Sequence, residues 1–350
     1  MSMEKIPEVG QVGEVAAVPE PVEIPEKISD LAARENYFNR ELSHLQFNYR
    51  VLQQALDEHH PLLNRLIFLC IFSSNMDEFF EIRVAGLRQQ MKYGREMVGP
   101  DGMLPEQVLQ EISQVAHEYI SEQYDILNKV LIPEMEKEGI HFVRRRDWTP
   151  AQAEWVRQYF EDEVLPVVNP IGLDPSHPFP RLVNKSLNFI VELDGKDAFG
   201  RETGMAIVPA PRSLPRLVRL PDDVCNGGDN LVFLSSMIHA HADELFPGME
   251  IKGCYQFRLT RNADLELEDD LEDLASALRG ELLSRRFGDG VRLEVADNCP
   301  EELIQFLLRQ FGLTERDLYK VHGPVNLTRL MAVSGLVNRP DLTYPGFSPA

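Results

Sequence analysis

The stretch PLLNRLIFLCIFSSNMDEFFEIRVAGLRQQMKYG, residues 61–94, decides how the first third of this chain folds. Pro61 suits the first turn of a helix, where a missing N–H costs nothing, and the apolar run behind it is dense enough to be buried. The longest apolar stretch, Leu66 to Ser73, falls far short of the roughly 20 residues a membrane helix needs. The helix continues or restarts through SSNMDEFFEIRVAGL, with Asn75, Asp77 and Glu78 reading as a helix start or an irregular turn. Upstream, Leu42, Leu45, Tyr49, Leu52 and Leu56 recur at 3-4-3-4 spacing in residues 39–57, an amphipathic helix. Downstream, Val108, Ile112, Val115, Tyr119 and Ile126 mark one face of a helix from about Leu104 to Val130. Three long helices with short Gly- and Pro-marked links predict an antiparallel helical domain over 31–139.

The period changes after Gly139. Leu187, Phe189, Val191 and Leu193 alternate with Ser186, Asn188, Ile190 and Glu192; Tyr255, Phe257 and Leu259 alternate with Gln256, Arg258 and Thr260; Val291, Leu293 and Val295 alternate with Arg292 and Glu294. Such alternation predicts half-solvated, mainly antiparallel strands. Helical segments are expected between them at 150–164, 235–246, 271–284 and 300–311. The fold class is therefore α+β: an N-terminal antiparallel helical domain, then an α+β head over 140–322. Residues 323–350, ending NRPDLTYPGFSPA, contain one short helical run and otherwise read as a linker.

The chain has 350 residues, with 56 acidic against 35 basic side chains and a formal net charge of −21. That argues against a general nucleic-acid coat, which needs clustered Lys and Arg. Seven acids, two lysines and four prolines with no aromatic residue make residues 1–30 a disordered acidic tail. The run DLELEDDLED, 264–273, holds seven acids and no base, and reads as a solvated turn. Without these two segments the remainder is only mildly acidic. Cys70, Cys225, Cys254 and Cys299 are widely spaced, which predicts neither a disulfide framework nor a zinc site and fits a reducing cytoplasm. No basic start followed by an apolar run marks a secretory signal.

On a helix, Asn75, Phe79 and Arg83 fall at i, i+4 and i+8, along one face. An amide reads a base edge, an aromatic ring stacks on a base and a guanidinium pairs with phosphate, so the trio suits a nucleotide. Its competing reading is a core phenylalanine beside a capping asparagine. Arginines are dense at Arg144–Arg146, at Arg212, Arg216 and Arg219, and at Arg279, Arg285, Arg286 and Arg292; they fit either phosphate or surface pairing with acids. His239 and His241 lie on different helical faces, which argues against a metal pair, and His177 reads as a turn residue. No P-loop, dinucleotide fingerprint or nucleophile elbow is present. No catalytic or metal-binding residue is identifiable from such motifs.

Residues 39–87, NRELSHLQFNYRVLQQALDEHHPLLNRLIFLCIFSSNMDEFFEIRVAGL, closely resemble the start of class 1 polyphosphate kinases. The stretches at 174–193, 231–248, 254–268, 284–295 and 319–330 extend the resemblance, which covers about 35–350. It implies a homo-oligomeric enzyme, dimer or tetramer through its head domain, that reversibly moves the terminal phosphoryl group of ATP onto polyphosphate, leaving ADP, with Mg2+. The asparagine of the family's S-[SN]-N-[LM]-D-E-F motif contacts ATP, and that position here is Asn75. The phosphorylated histidine, the second catalytic histidine and the magnesium-site arginines of the family belong to two phospholipase-D-like C-terminal domains, of which residues 323–350 hold only the start. None of the nine histidines matches a catalytic position. The chain alone is thus expected to be inactive, contributing ATP-base contact and dimerisation. Two other readings stand beside this one: a non-catalytic oligomerisation or regulatory module, and a nucleotide or phosphate sensor. The expected location is cytoplasmic, with peripheral association at the inner membrane surface left open, and with no nucleic-acid partner and no transmembrane segment.

Overall fold

A computed structural model describes residues 33–94, 97–174, 176–196, 204–225, 227–262 and 288–346. The acidic tail, the 264–273 run, the helix expected at 271–284 and Arg279, Arg285 and Arg286 lie outside the described residues.

Asn39 starts the helical region, its side-chain oxygen accepting the N–H groups of Glu41 and Leu42 at 3.0 and 3.1 Å. It caps α1 (Arg40–Gln53). After Pro61, α2 (Leu62–Glu78) runs without a break through a π-helical turn (Phe79–Val84) into α3 (Ala85–Lys92). Asn75, Asp77 and Glu78 are therefore neither a helix start nor an interruption: the carbonyl of Asn75 accepts the N–H of Phe79 inside the helix. The side chains of Asn75 and Asp77, which would cap a terminus, are taken instead by partners on other elements. α4 (Pro105–Ile126) passes through a second π turn (Leu127–Leu131) into α5 (Ile132–Lys137). That turn widens just ahead of Pro133, whose ring would otherwise meet the carbonyl of Lys129. The same arrangement recurs where α6 (Pro150–Tyr159) widens over Phe160–Val164 ahead of Pro166. The π turn at Phe79–Val84 has no such proline.

Nine strands follow among the described residues. β1 (Ile140–Phe142), β5 (Leu217–Arg219) and β6 (Asp229–Phe233) form a small sheet in the order β1-β6-β5. β2 (Ile171–Gly172), β3 (Leu187–Asp194), β4 (Met205–Pro209), β7 (Glu250–Arg261), β8 (Gly290–Ala296) and β9 (Leu318–Val321) form the main sheet, β2-β4-β3-β7-β8-β9. The main sheet is antiparallel except for β8 with β9, and β1 pairs with β6 in parallel. The helical segment expected at 235–246 is split into α7 (Leu234–Ala240) and a 3-10 turn at Ala242–Leu245.

Gly228 sets the entry to β6. Its φ of +71° is left-handed, and a Cβ there would stand 2.5 Å from the carbonyl oxygen of Gly139. That same oxygen accepts the N–H of Asp229 at 2.8 Å. Gly228→Ala is expected to cost more than about 1 kcal/mol, read as a lower urea midpoint with an unchanged slope.

The expectation of a half-solvated sheet is overturned, because both faces are covered. On one face Leu187, Phe189 and Val191 join the core shared with the helices. On the other, Ile190, Ile207, Phe257, Leu259, Leu293 and Val295 pack under Leu303, Ile304, Leu307 and Leu308 of α8 (Glu301–Phe311). The alternation thus separates two cores, and the charged positions within it, Arg258, Arg292 and Glu294, are buried. The short helical run expected after Gly323 packs onto the body of the protein. A 3-10 run (Leu327–Ala332) and α9 (Val333–Leu336) bury Leu327, Leu330, Val333 and Val337 in the shared core. These four residues form a short amphipathic strip that closes over α2. The Cys70 thiol donates to the Leu327 carbonyl at 3.2 Å, and the Tyr124 hydroxyl to the Pro324 carbonyl at 2.9 Å.

Candidate functional site

α1 and the long helix lie side by side, and their facing side chains are polar along one seam. Glu41, His44 and Asn48 recur at 3-4 spacing on α1, opposite Asn75, Phe79 and Arg83. Asn75 is half-buried, and its Nδ2 donates to Oδ1 of fully buried Asn48 at 3.1 Å. The other end of the Asn48 amide, Nδ2, is buried without a hydrogen-bond partner. Glu41 is also buried; one oxygen takes Arg40 at 2.6 Å, while Oε2 makes no hydrogen bond and lies 4.0 Å from Nε of Arg83. The seam therefore holds two polar atoms left unsatisfied, at a cost of about 1–3 kcal/mol each.

Asn75 and Arg83 are brought to this seam together, and Phe79 is placed underneath it. Its side chain is 1% exposed, edge-on to His44 at 5.5 Å and to Phe80 at 5.9 Å. No face of the ring is open, so its direct contacts are with the core rather than with a ligand.

The opposite side of the same helix is bolted to the main sheet. Asp77 accepts from Arg258, and from Arg292 at 2.5 Å; Arg258 also donates to Glu294 at 2.7 Å, and Arg292 lies 3.2 Å from that same carboxylate. Arg292 stacks over Phe80, 4.7 Å from its centroid. Two guanidinium groups and two carboxylates balance in charge, as burial requires. Burial alone would raise the pKa of Asp77, but Arg258 and Arg292 outweigh it and hold the carboxyl below its ordinary value. Burial would likewise lower Arg258, and Asp77 with Glu294 reverse that and raise it. One turn further on, Glu81 accepts from Asn184 and Lys185, both at 2.6 Å.

The remaining arginines and histidines sort by partner. Arg219 is held by Asp229 at 2.6 Å and Asp222 at 2.8 Å, and Arg292 belongs to the buried quartet. Arg144, Arg145 and Arg146 are exposed, as is Arg212, whereas Arg216 is half-buried. His241 pairs with Glu244 at 2.8 Å and stacks on Phe160; burial, then Arg145, lowers the pKa of His239. His177 sits in an exposed turn with Asp174. Among the described residues no cluster of three His, Cys, Asp or Glu side chains is placed to hold a metal ion, and no helix is long and apolar enough to cross a membrane.

Sequence reasoning missed Asn48, Asp77, Arg258 and Glu294. Asn48 left one signal: it shares the apolar face of α1 with Leu45 and Leu52, where an amide has to find a partner.

Comparison with known proteins finds matches along most of the chain. Residues 37–143 match the family model of the polyphosphate kinase N-terminal domain, and residues 151–333 that of the polyphosphate kinase middle domain. The chain is 66% identical over 315 residues to a polyphosphate kinase of Pseudomonas aeruginosa, covering 90% of this chain and 46% of that protein. It is 58% identical over 311 residues to one from Neisseria meningitidis serogroup B, covering 89% and 45%. The crystal structure of polyphosphate kinase from Porphyromonas gingivalis superposes with a TM-score of 0.70 at 25% identity, over 89% of this chain and 43% of that one. The chain spans under half the length of these relatives.

Proposed function

The chain belongs to the polyphosphate kinase family, and from that premise we propose that the whole protein reversibly transfers the terminal phosphate of ATP to polyphosphate. These residues supply the outer contact to the nucleotide and, through the middle domain, the contact between subunits of a cytoplasmic homo-oligomer. Phosphoryl transfer depends chiefly on positioning and charge stabilisation, and the part assigned here is positioning.

The observation that carries the assignment is the Asn48–Asn75 amide pair. Asn48 accepts one N–H of Asn75 and so fixes which way that amide faces. The second N–H and the oxygen of Asn75 remain for a ligand, a donor beside an acceptor, as an adenine edge requires. Arg83, only loosely held by Glu41, supplies a guanidinium for phosphate from the same seam. Phe79 supports both from below, acting as a positioning residue. Magnesium, which the family resemblance implies, finds no fitting set among the described residues, so no residue here is assigned to it.

Asn75→Ala is expected to weaken ATP binding by about 1–3 kcal/mol, roughly 5- to 150-fold, and to lower the unfolding free energy by about 1–3 kcal/mol as well, because the buried Oδ1 of Asn48 loses its donor. Calorimetric titration of both proteins with ATP checks this, and in the whole enzyme KM for ATP should rise with kcat largely kept. Equal ATP affinity in the two proteins would remove Asn75 from the site.

A further inference from the structure

Tyr319 is 2% exposed, and its hydroxyl makes no hydrogen bond among the described residues. It lines a pocket of about 270 Å³ bounded by the π turn and α3, by α4, and by the segment from Gly312 into β9. Burial raises the pKa of the phenol well above its ordinary value, so at neutral pH the group is an O–H with a proton to donate. Buried hydroxyls are paired as a rule, and an unpaired one in a pocket wall calls for a reason.

The other polar side chains around the pocket are already answered. Arg88 pairs with Asp317, and Arg316 with Glu106 at 2.7 Å. The Thr314 hydroxyl donates to Asp317 at 3.0 Å, and the Ser113 hydroxyl to the Arg316 carbonyl at 2.9 Å. Two cations and two carboxylates cancel. Between them the walls are apolar: Phe80, Val84, Met91, Leu109 and Ile112. The Tyr319 ring stacks on His117 with centroids 4.0 Å apart and meets Phe80 edge-on at 5.6 Å. The adjoining cavity of about 480 Å³ is of the opposite kind, with Lys92, Arg181 and Arg261 beside Arg88 and Asp289 its only carboxylate among the described residues. An anion suits that cavity, whereas both cations of the smaller pocket are already paired.

We propose that the smaller pocket binds an uncharged aromatic molecule whose acceptor atom takes the Tyr319 O–H. An apolar cavity of about 150 Å³ holds benzene, so this one has room for about two fused rings. The rings of Phe80 and Tyr319 favour an aromatic guest, and a single orphan hydroxyl among closed ion pairs sets its polarity. Such a ligand touches α3, α4 and the entry to β9 at once, and so ties the helical region to the main sheet. The site is separate from the Asn75 seam: Glu41, Asn48, Asn75 and Arg83 are not among its lining residues.

The test is a titration of the 350-residue chain, with isotope-labelled methionine and isoleucine methyl groups, by quinoline at neutral pH. Quinoline has two fused rings, no charge under those conditions and one acceptor nitrogen. It should shift the methyl signals of Met91 and Ile112 saturably, those signals being assigned from Met91→Leu and Ile112→Val. Tyr319→Phe keeps the ring and removes only the hydroxyl, so it should weaken quinoline by about fivefold. The free variant should melt no lower than the wild type, because it gives up no hydrogen bond. Naphthoate, of similar size but negatively charged, should bind more weakly than quinoline. ATP should not displace quinoline, and Asn75→Ala should leave its affinity unchanged, whichever way the nucleotide reading falls. Unmoved Met91 and Ile112 signals, equal quinoline affinity in the Tyr319→Phe variant, tighter binding of naphthoate, or displacement by ATP each overturns the proposal. So does a clearly lower melting temperature of Tyr319→Phe, which would show that the hydroxyl already has a partner in the free protein.

Discussion

Arg258→Ala is expected to lower the unfolding free energy by about 3–5 kcal/mol, the range for removing one partner of a buried ion pair. Arg258 is 1% exposed and answers two carboxylates, Asp77 and Glu294. Without it Arg292 faces both alone, and one negative charge remains in the core uncompensated. The same ion pairs give stability a pH dependence. Asp77 is held below its ordinary value of 3.8 when folded, so in acid the unfolded chain binds the extra proton. The contribution is therefore complete above that value and is lost as the pH falls through the lowered folded one. Urea unfolding of the wild type should weaken between about pH 5 and pH 2 more steeply than that of Asp77→Asn, which has no carboxyl to protonate. A loss under about 1 kcal/mol for Arg258→Ala, or parallel acid limbs for the wild type and Asp77→Asn, would show that the quartet does not carry the joint.

Phe79→Ala should cost about 3–5 kcal/mol, as expected for truncating a fully buried aromatic ring, while Phe79→Leu should cost under about 1.5 kcal/mol. The pair of variants separates two roles. A ring that stacks on a base would lose ATP affinity in the leucine variant with little loss of stability. A ring that supports the seam from within should show the reverse: ATP affinity nearly kept in the leucine variant, and a large drop in denaturation midpoint in the alanine variant.

Much of the architecture was legible because the period of apolar residues reports directly on local structure. Leu45 and Leu52, Val108 and Ile112, and Phe189 and Val191 all fall in the core, where their spacing put them. What the pattern leaves open is what lies on each side of a strand. Alternation at Phe257, Arg258 and Leu259 identifies two faces, but not that both are dry. The partners that make this possible are remote, since Asp77 and Arg292 are 215 positions apart and charged residues read singly look like surface. The π turn at Phe79 is equally silent, because one extra residue in a helix only shifts the apolar stripe. Asn75 illustrates the limit for the site. Spacing alone left it a cap or a core-edge amide; family resemblance singled it out, and the buried Asn48 beside it provides a physical reason for that choice.

The strip from Leu327 to Val337 that closes over α2 also constrains how the protein is made. Its bond to Cys70 spans 257 positions, and at about 5–20 residues per second a ribosome needs roughly 13–50 s to cover that distance. Throughout that interval the apolar flank of α2 has been synthesised but its final cover has not. The nascent helical region therefore exposes an aggregation-prone flank for that time, and slowing translation between the two segments should lower soluble yield without altering any contact of the finished molecule.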